Sequence, residues 1–189
     1  MEHNRIFMNS HNSIPVLILG FNRTEKLEKL LTILMGFGIQ RIYIHLDGPK
    51  NEKDIVAINE SISLINKIGN DNSSIELFLK SQSENLGCDN SCLTGISWFF
   101  ENETKGIILE DDLIPSRSFF TYCEKALYKY MNNKQLFAIS GFNSLGSTHY
   151  GKHLASFSRN HGNWGWATYR DRWQKFIKFL DFDNKNNDF

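Results

Sequence analysis

Short apolar blocks alternate along most of the chain with longer stretches in which apolar residues recur at helical spacing. The first block, residues 14–19, is nearly continuous and ends at Gly20, which is the pattern of a strand buried on both faces of a parallel sheet. Blocks of the same kind predict five strands, at residues 14–19, 41–46, 74–79, 105–109 and 136–140.

Helices are predicted between the strands. Thr24 is the predicted N-cap of the first helix, whose leucines recur at helical spacing until Gly36 and Gly38 end the pattern. The other predicted helices cover residues 54–68, 90–100 and 170–180, and a further one begins at Pro115 and Ser116. Because strands alternate with helices, the sequence predicts an α/β fold with a mostly parallel sheet and right-handed crossovers.

The chain of 189 residues has the length of one globular domain, which we place at residues 14–180. Residues 1–13 are polar and lack the apolar middle of a secretory signal, so they are predicted to be a flexible N-terminal segment. Residues 141–165 are rich in Gly, Ser, His and Asn and are predicted to be mainly loop, and residues 181–189 are expected to be a polar tail. No run approaches the roughly 20 apolar residues that a membrane helix requires, so no membrane span is expected.

Charge and cysteine content narrow the classes of partner. The chain has 21 Lys plus Arg and 21 Asp plus Glu, so no basic excess exists to bind nucleic acid or an anionic membrane. Three cysteines in a chain of this size suit a reducing compartment, and cytoplasmic residence is expected. Cys88 and Cys92 have helical spacing, but no second ligand pair completes a zinc site, so all three thiols are predicted to be free and buried.

The carboxyl ends of the predicted strands carry the candidate chemistry, because ligands of open α/β sheets bind beyond those ends. Glu110, Asp111 and Asp112 directly follow the fourth strand. Three adjacent carboxylates repel one another, and a divalent cation such as Mg²⁺ or Mn²⁺ would neutralise them. The alternative is a solvated acidic turn at the start of the helix that follows.

Three further segments lie at strand ends. Arg23 follows the first strand and can hold a phosphate with two hydrogen bonds, although it could equally form a surface ion pair. Asp47 follows the second strand and can accept hydrogen bonds from a ribose or a base, although Asp-Gly is also a common turn. Residues 140–143 follow the fifth strand. The sequence contains neither Gly-x-Gly-x-x-Gly nor Gly-x-x-x-x-Gly-Lys, which disfavours dinucleotide dehydrogenases and nucleoside triphosphatases of the usual types. It also has no nucleophile elbow, which disfavours covalent hydrolases.

Two tryptophans flank a glycine at Trp164, Gly165 and Trp166. Indole faces suit the C–H faces of a sugar, and glycine lets the backbone approach a ligand closely. The alternative is an aromatic plug that closes the core, and one tryptophan could be buried while the other lines a cleft. His161, just before them, could act as a base or contact a phosphate, although a loop histidine is more often structural.

Five segments in this order resemble a known family. They are Pro-Val-Leu-Ile-Leu-Gly-Phe-Asn-Arg at residues 15–23, Ile-His-Leu-Asp-Gly at 44–48, Asn-Leu-Gly at 85–87, Ile-Ile-Leu-Glu-Asp-Asp-Leu-Ile-Pro-Ser-Arg-Ser-Phe-Phe at 107–120 and Trp-Gly-Trp-Ala-Thr-Tyr at 164–169. Together they resemble the GT-A glycosyltransferases, in particular the bacterial nucleotide-diphospho-sugar transferases related to N-acetylglucosaminyltransferase I. The resemblance runs over residues 15–180 and implies a GT-A, Rossmann-like fold.

The resemblance also implies an activity. A hexosyl or N-acetylhexosaminyl group, such as N-acetylglucosamine, would move from a nucleotide diphosphate donor, with a UDP-sugar expected, to a hydroxyl of a glycan or other acceptor, with inversion. The residues matched to family positions are Arg23 and Asp47 for the nucleotide, Glu110 and Asp111 for the ribose and sugar of the donor, Asp112 for Mn²⁺ (or Mg²⁺), and Trp164, Gly165 and Trp166 for the sugar and acceptor side.

The chain departs from the family in two respects. The relatives carry a catalytic aspartate beyond the Trp-Gly-Trp segment, near or past the position where this sequence ends, and neither Asp181 nor Asp183 can be assigned that role. The relatives also continue further, which is consistent with truncation at the C-terminus. A non-catalytic or truncated sugar-nucleotide-binding protein is therefore the alternative. A receiver-like phosphoacceptor domain ranks third, because such domains carry acids after the first strand, where this chain has Asn22 and Arg23.

Overall fold

The computed structural model describes residues 14–142 and 155–186, and these ranges contain six strands and five helices. In chain order they are β1 (Val16–Gly20), α1 (Thr24–Gly36), β2 (Arg41–Leu46), α2 (Glu52–Asp71), β3 (Glu76–Ser81), α3 (Gly87–Asn102), β4 (Lys105–Glu110), α4 (Arg117–Lys129), β5 (Ile139–Ser140), β6 (Trp166–Tyr169) and α5 (Arg170–Asn186). One sheet has the strand order β3-β2-β1-β4-β6-β5. β1 to β4 are mutually parallel, whereas β6 is antiparallel to both of its neighbours. The predicted α/β fold with a mostly parallel sheet is confirmed.

Side chains of the strands alternate between the two faces of the sheet and build a core on each. In β1, Val16 and Ile18 belong to the first core and Leu17 belongs to the second. Helices α1, α2 and α4 complete the first core, and α3 and α5 complete the second. Because helices cover both faces, residues 16–19 of β1 and residues 107–109 of β4 are continuous apolar runs instead of alternating with polar residues.

The strand β6 lies where the sequence predicts only a passage from loop into helix. Its ladder with β4 pairs Lys105 with Tyr169 and Ile108 with Trp166. All four residues of β6 are buried, because the strand lies between β4 and β5 inside the sheet. Four residues are too few to show a strand period, so the pairing partner determines this element. The neighbouring β5 is shorter than predicted and contains only Ile139 and Ser140.

The first helix begins differently from the prediction. Thr24 is its first residue, and the N-cap is Arg23, which makes no side-chain capping hydrogen bond. The Thr24 hydroxyl instead donates to the carbonyl of Ala57 at 2.9 Å and lies 2.8 Å from the hydroxyl of Ser61. This threonine therefore joins α1 to α2, and the expectation of an N-cap was wrong.

The last helix is longer than predicted. α5 continues to Asn186, past the predicted end at residue 180, so much of the segment expected to be a polar tail is helical. Within residues 14–142 and 155–186, no helix combines the length and the apolar character needed to cross a membrane. The predicted N-terminal segment, residues 1–13, lies outside the described residues.

The cysteines differ in exposure. Cys123 is buried in the first core, and burial raises the pKa of its thiol to about 12, so it packs as a small apolar group. Cys92 is half-buried and Cys88 is exposed, both in the first two turns of α3. The expectation of a buried thiol is confirmed for Cys123 and wrong for Cys88.

A fully buried histidine lies in the middle of the sheet. His45 of β2 has 0% exposure and packs against Gly95 of α3, where an added Cβ would lie 2.8 Å from the imidazole Cγ. Its Nε2 lies 3.1 Å from the amide nitrogen of Gln82, and Nδ1 has no hydrogen-bond partner in the described residues. Burial, with a smaller effect of the Lys80 charge and an opposing effect of Asp47, lowers the pKa of His45 from 6.5 to about 4.

This pKa predicts a loss of stability at acidic pH. Between pH 6.5 and pH 4 the unfolded chain binds a proton at His45 that the folded chain does not, so the free energy of unfolding falls as the pH falls. We expect His45 to account for a loss of about 2 kcal/mol between pH 7 and pH 5. Urea unfolding at both pH values, for the natural chain and for His45→Gln, measures this contribution. The variant should lose less stability on acidification, and equal losses in the two proteins would contradict the assignment.

Candidate functional site

The carboxyl ends of the parallel strands meet at one edge of the sheet, which we call the carboxyl edge. Arg23 follows β1 there, Asp47 follows β2, and residues 110–112 end and follow β4. Because β6 is antiparallel to β4, the segment that enters β6 lies at the same edge and brings Trp164 with it. The strand order therefore places the carboxyl ends of β2 and β1 on one side of the acids. The start of the antiparallel β6 and the carboxyl end of β5 lie on the other side.

The guanidinium of Arg23 forms ion pairs with two of the three acids, Asp111 and Asp112. Nη1 of Arg23 lies 2.5 Å from Oδ2 of Asp112, and Nη2 lies 3.1 Å from Oδ1 of Asp111. Nζ of Lys26 lies 3.8 Å from the same Asp112 oxygen, and the backbone N–H of Phe21 donates to Oδ2 of Asp111 at 3.3 Å. The Asp111 side chain is 2% exposed and that of Asp112 is 33% exposed. Asp111 therefore fixes the β1 and β4 ends to each other, whereas Asp112 is accessible to a ligand.

Burial and mutual repulsion favour the protonated forms of two of these acids. The pKa of Glu110 is raised by burial and by the charges of Asp112 and Asp111, while Arg23 opposes the rise. The pKa of Asp111 is raised mainly by burial, while the Arg23 charge and the Phe21 N–H act in the opposite direction. A bound cation beside these groups would lower both pKa values, because it stabilises the charged forms.

The oxygen atoms at this position fit a hard divalent cation. Mg²⁺ and Mn²⁺ take oxygen ligands and usually bind one or two protein carboxylates together with substrate phosphates and water. Asp112 offers such a carboxylate at the surface, and Oδ1 of the buried Asp111 has no hydrogen-bond partner in the described residues despite its ion pair with Arg23. The described residues contain no group of three or more His, Cys, Asp and Glu side chains arranged around a metal. A cation at Asp112 would complete its ligand shell with water and substrate phosphates, as Mg²⁺ and Mn²⁺ commonly do.

Asp47 is 6% exposed, and its carboxylate accepts hydrogen bonds from the loop after β2 and from the loop before α3. Its Oδ1 accepts the N–H groups of Gly48 and Leu86, each at 2.9 Å, and its Oδ2 accepts Nδ2 of Asn85 at 3.0 Å. Gly48 allows this contact, because an added Cβ would lie 2.3 Å from backbone atoms of Glu84. Asp47 thus holds the loop after β2 against the loop before α3. This geometry supports the alternative of a turn residue, and the assignment of Asp47 to the nucleotide stays a prediction.

Replacing Asp47 should weaken the contact between the loop after β2 and the loop before α3. Asp47→Ala leaves the N–H groups of Gly48 and Leu86 without this acceptor and removes one of the two acceptors of Asn85 Nδ2, and we expect the free energy of unfolding to fall by about 2 kcal/mol. Urea unfolding measures the change, and faster amide hydrogen exchange at Leu86 would locate it. Glu84→Ala is the control, since it alters an exposed side chain of the same loop. A change smaller than about 0.5 kcal/mol in Asp47→Ala would contradict the structural role.

The two tryptophans of the Trp-Gly-Trp segment have different surroundings. Trp164 is 58% exposed, whereas Trp166 is 6% exposed and lies in the second core with its ring centroid 6.4 Å from that of Trp173. Its position in β6 directs the Trp166 ring to the buried face, which supports the alternative of an aromatic plug for this residue, and its assignment to the sugar and acceptor side stays a prediction. Gly165 has a φ of 76°, in the left-handed region that favours glycine, and it separates the exposed indole from the buried one.

Two residues near Trp164 complete this part of the edge. Phe142 is 42% exposed, and its ring centroid lies 4.7 Å from that of Trp164. It belongs to the segment after the fifth strand, whose position was the only signal for it in the sequence. The His161 ring lies 4.8 Å from that of Trp166, edge to face, and burial lowers its pKa. The His161 residue is nevertheless exposed, and its edge-to-face contact with Trp166 agrees with the structural alternative for it.

The candidates for a catalytic base lie on α5. This helix begins at the opposite edge of the sheet, where the Arg170 N–H donates to the carbonyl of Thr104 at 2.9 Å. Asp181 is exposed near the end of α5, and the side chain of Asp183 lies outside the described part of the chain. The role of both residues stays a prediction.

Comparison with known proteins adds no family to this description. No protein-family model matches the sequence, and no curated protein is significantly similar to it. The strand order, the paired Arg23 and acids, and the exposed aromatic pair at the carboxyl edge therefore carry the functional interpretation.

Proposed function

We propose that the chain is a metal-dependent glycosyltransferase domain of the GT-A type that binds a nucleotide-diphosphate sugar at the carboxyl edge. The observation that carries the proposal is the ion-paired group of Arg23, Asp111 and Asp112, with Lys26 beside it. It combines the two kinds of group that a metal-bound diphosphate requires, namely a surface carboxylate for the cation and basic side chains for the phosphates. The resemblance of residues 15–180 to such transferases agrees with this chemistry.

Each group has a role in the proposal. Asp112 would hold Mn²⁺ or Mg²⁺, and Arg23 and Lys26 would bind the oxygens of the diphosphate. Glu110 faces the ribose and sugar of the donor, as the resemblance implies. The same role for Asp111 stays a prediction, because its side chain is 2% exposed and joins the ends of β1 and β4. The bound cation supplies Lewis-acid stabilisation of the negative charge that develops on the leaving diphosphate.

The reaction in this proposal is a direct displacement. The acceptor oxygen forms a bond to the anomeric carbon as the bond from that carbon to the diphosphate oxygen breaks. The bonding electrons leave with the nucleoside diphosphate, and the acceptor proton passes to a base. The resemblance places that base near or beyond the last residues of the sequence, and neither Asp181 nor Asp183 is assigned the role. Inversion at the anomeric carbon follows from a single displacement.

Titration calorimetry with nucleotide sugars tests the proposal. UDP-N-acetylglucosamine, UDP-glucose and GDP-mannose are each titrated in Mn²⁺ and again in excess chelator. We expect one donor to bind in Mn²⁺ and to lose most of its affinity in chelator. Absence of metal-dependent binding for all donors would refute the proposal. Donor binding without transfer to any hydroxyl acceptor would favour the alternative of a non-catalytic sugar-nucleotide-binding protein.

A further inference from the structure

The strand β3 lies at one end of the sheet. In the described part of the chain it pairs with β2 alone, in a continuous parallel register that runs from Glu76 to Ser81. An end strand presents a row of backbone N–H and C=O groups with which another strand can pair. β3 contains neither proline nor glycine, and its apolar side chains are only partly buried. Its open side is therefore a surface on which a further strand can extend the sheet.

The backbone hydrogen bonds of β3 show which residues face this open side. The Glu76 N–H donates to the carbonyl of Gln40 at 2.7 Å, and the Gln82 N–H donates to a carbonyl of β2 at 2.9 Å. Even-numbered residues of β3 thus direct their backbone groups to β2. Because this direction alternates along a strand, the N–H and C=O groups of Leu77 and Leu79 point to the open side.

The side chains of β3 are complementary to those of the same strand in the opposite direction. Residues 76–80 read Glu-Leu-Phe-Leu-Lys, so an acid and a base lie at equal distances from Phe78. In an antiparallel pair centred on Phe78, Glu76 of each copy lies opposite Lys80 of the other. Leu77 then lies opposite Leu79, and their outward backbone groups exchange both hydrogen bonds of such a pair.

Other registers lose this match. The nearest ones that still set outward backbone groups against each other are centred on Leu77 and Leu79, and they place Glu76 or Lys80 opposite Phe78. The next ones place Glu76 opposite Glu76, or Lys80 opposite Lys80, and like charges directly opposite each other are destabilising. Backbone direction and side-chain charge therefore select the same register.

Both charged groups are available to a second copy. The Glu76 side chain is 61% exposed, and its ion pair with Arg41 is long, at 3.4 Å. Nζ of Lys80 lies 5.9 Å from the centroid of the Trp98 ring, and none of the ion pairs between described residues involves Lys80. The acid that Lys80 lacks within its own chain is supplied by Glu76 of the second copy.

We infer that the chain forms a two-fold symmetric homodimer in which the β3 strands of two copies pair antiparallel, centred on Phe78. The interface is isologous, since Glu76 of each copy contacts Lys80 of the other. It joins the two sheets, and Leu77 and Leu79 extend the first core while Phe78 extends the second. Because the paired strands run in opposite directions, the carboxyl edges of the two copies point in opposite directions. The inference therefore does not depend on the proposed function.

Sedimentation velocity at low salt over a range of protein concentrations tests the inference. We expect a reversible equilibrium between monomer and dimer. Glu76→Lys and Lys80→Glu should each weaken the dimer about tenfold or more, because each sets like charges opposite each other at both ends of the interface. The variant that carries both substitutions restores opposite charges and should dimerise as the natural chain does. The two single variants, mixed, should form a mixed dimer.

Lys125→Glu is the matched control. Lys125 is exposed on α4, which packs against β5 and β6 at the other end of the sheet. The substitution should change the affinity of the dimer less than about twofold. Amide hydrogen exchange checks the register, since the N–H groups of Leu77 and Leu79 should exchange more slowly as the protein concentration rises. The N–H of Phe78, which is directed to β2, should not change.

The outcomes separate this inference from the proposed function. A natural chain that stays monomeric up to its solubility limit overturns the inference, and an edge that pairs only with an extended segment of another protein would give this result. A dimer that Lys80→Glu leaves equally stable, or that gives no protection at Leu77 and Leu79, also overturns it, because another surface would then hold the copies together. Binding of a UDP-sugar with Mn²⁺ should be the same in the natural chain and in Lys80→Glu, and its absence would count against the proposed function alone.

Discussion

Under the proposed function, replacement of Asp112 by asparagine is expected to weaken Mn²⁺-dependent binding of a UDP-sugar by about 100-fold or more without loss of the fold. The substitution removes the charge of the one surface carboxylate among the three acids, while Arg23 and Lys26 remain beside it. With a neutral amide at position 112, Arg23 and Lys26 would disfavour a divalent ion there, and Asp111 would be too buried to replace Asp112 as the residue that holds it. Asp112 is 33% exposed, so the change should cost little stability.

Calorimetry with the UDP-sugar measures binding of the donor, and electron paramagnetic resonance of free Mn²⁺ measures binding of the metal separately. Glu101→Gln is the matched control, because it removes an exposed carboxylate of α3 and should bind both ligands normally. Arg23→Gln should still bind the metal, since the substitution removes a competing cation from Asp112. The same variant should bind the diphosphate of the donor more weakly, because the guanidinium is lost. If Asp112→Asn bound Mn²⁺ and the donor as tightly as the natural chain, Asp112 would not be the metal ligand.

The central sheet could be predicted from the sequence because its strands are buried on both faces. β2 was predicted with its observed ends, Arg41 and Leu46, since apolar residues run up to the Asp47-Gly48 turn. The acids at residues 110–112 were placed at a strand end for the same reason, as β4 is a run of apolar residues that stops at Glu110. Local composition determines both features, so one sequence was sufficient.

Features that depend on pairing across the fold could not be predicted. β6 is a strand because its four residues pair with β4, and Trp166 is buried because that register turns its side chain toward the second core. The contacts of Asp47 depend on a loop 38 residues away, which no local pattern reveals. Phe142 was not identified as a site residue because only the pairing of β5 with β6 brings it to Trp164.

A buried arginine joins the last helix to α4. Arg172 donates from Nη2 to the carbonyl of Met131 at 2.7 Å and to that of Asn133 at 3.3 Å, just beyond the end of α4. Its Nη1 lies 2.6 Å from Asp171, and its guanidinium carbon lies 3.8 Å from the centroid of the Tyr169 ring. These contacts satisfy carbonyl groups at the negative end of a helix, where a cation is favoured.

We expect Arg172→Ala to lower the free energy of unfolding by about 3 kcal/mol, because it removes several hydrogen bonds from a buried charged donor and the packing of its guanidinium on the Tyr169 ring. In a chain of this size the melting temperature should fall by about 6–12 °C. Arg172→Lys should recover part of the loss, since an ammonium keeps the charge but cannot reach several acceptors while lying flat on Tyr169. Lys134→Ala removes only an exposed partner of Asp171 and should cost less than about 1 kcal/mol. Equal melting temperatures for Arg172→Ala and Lys134→Ala would show that the link to α4 contributes little to stability.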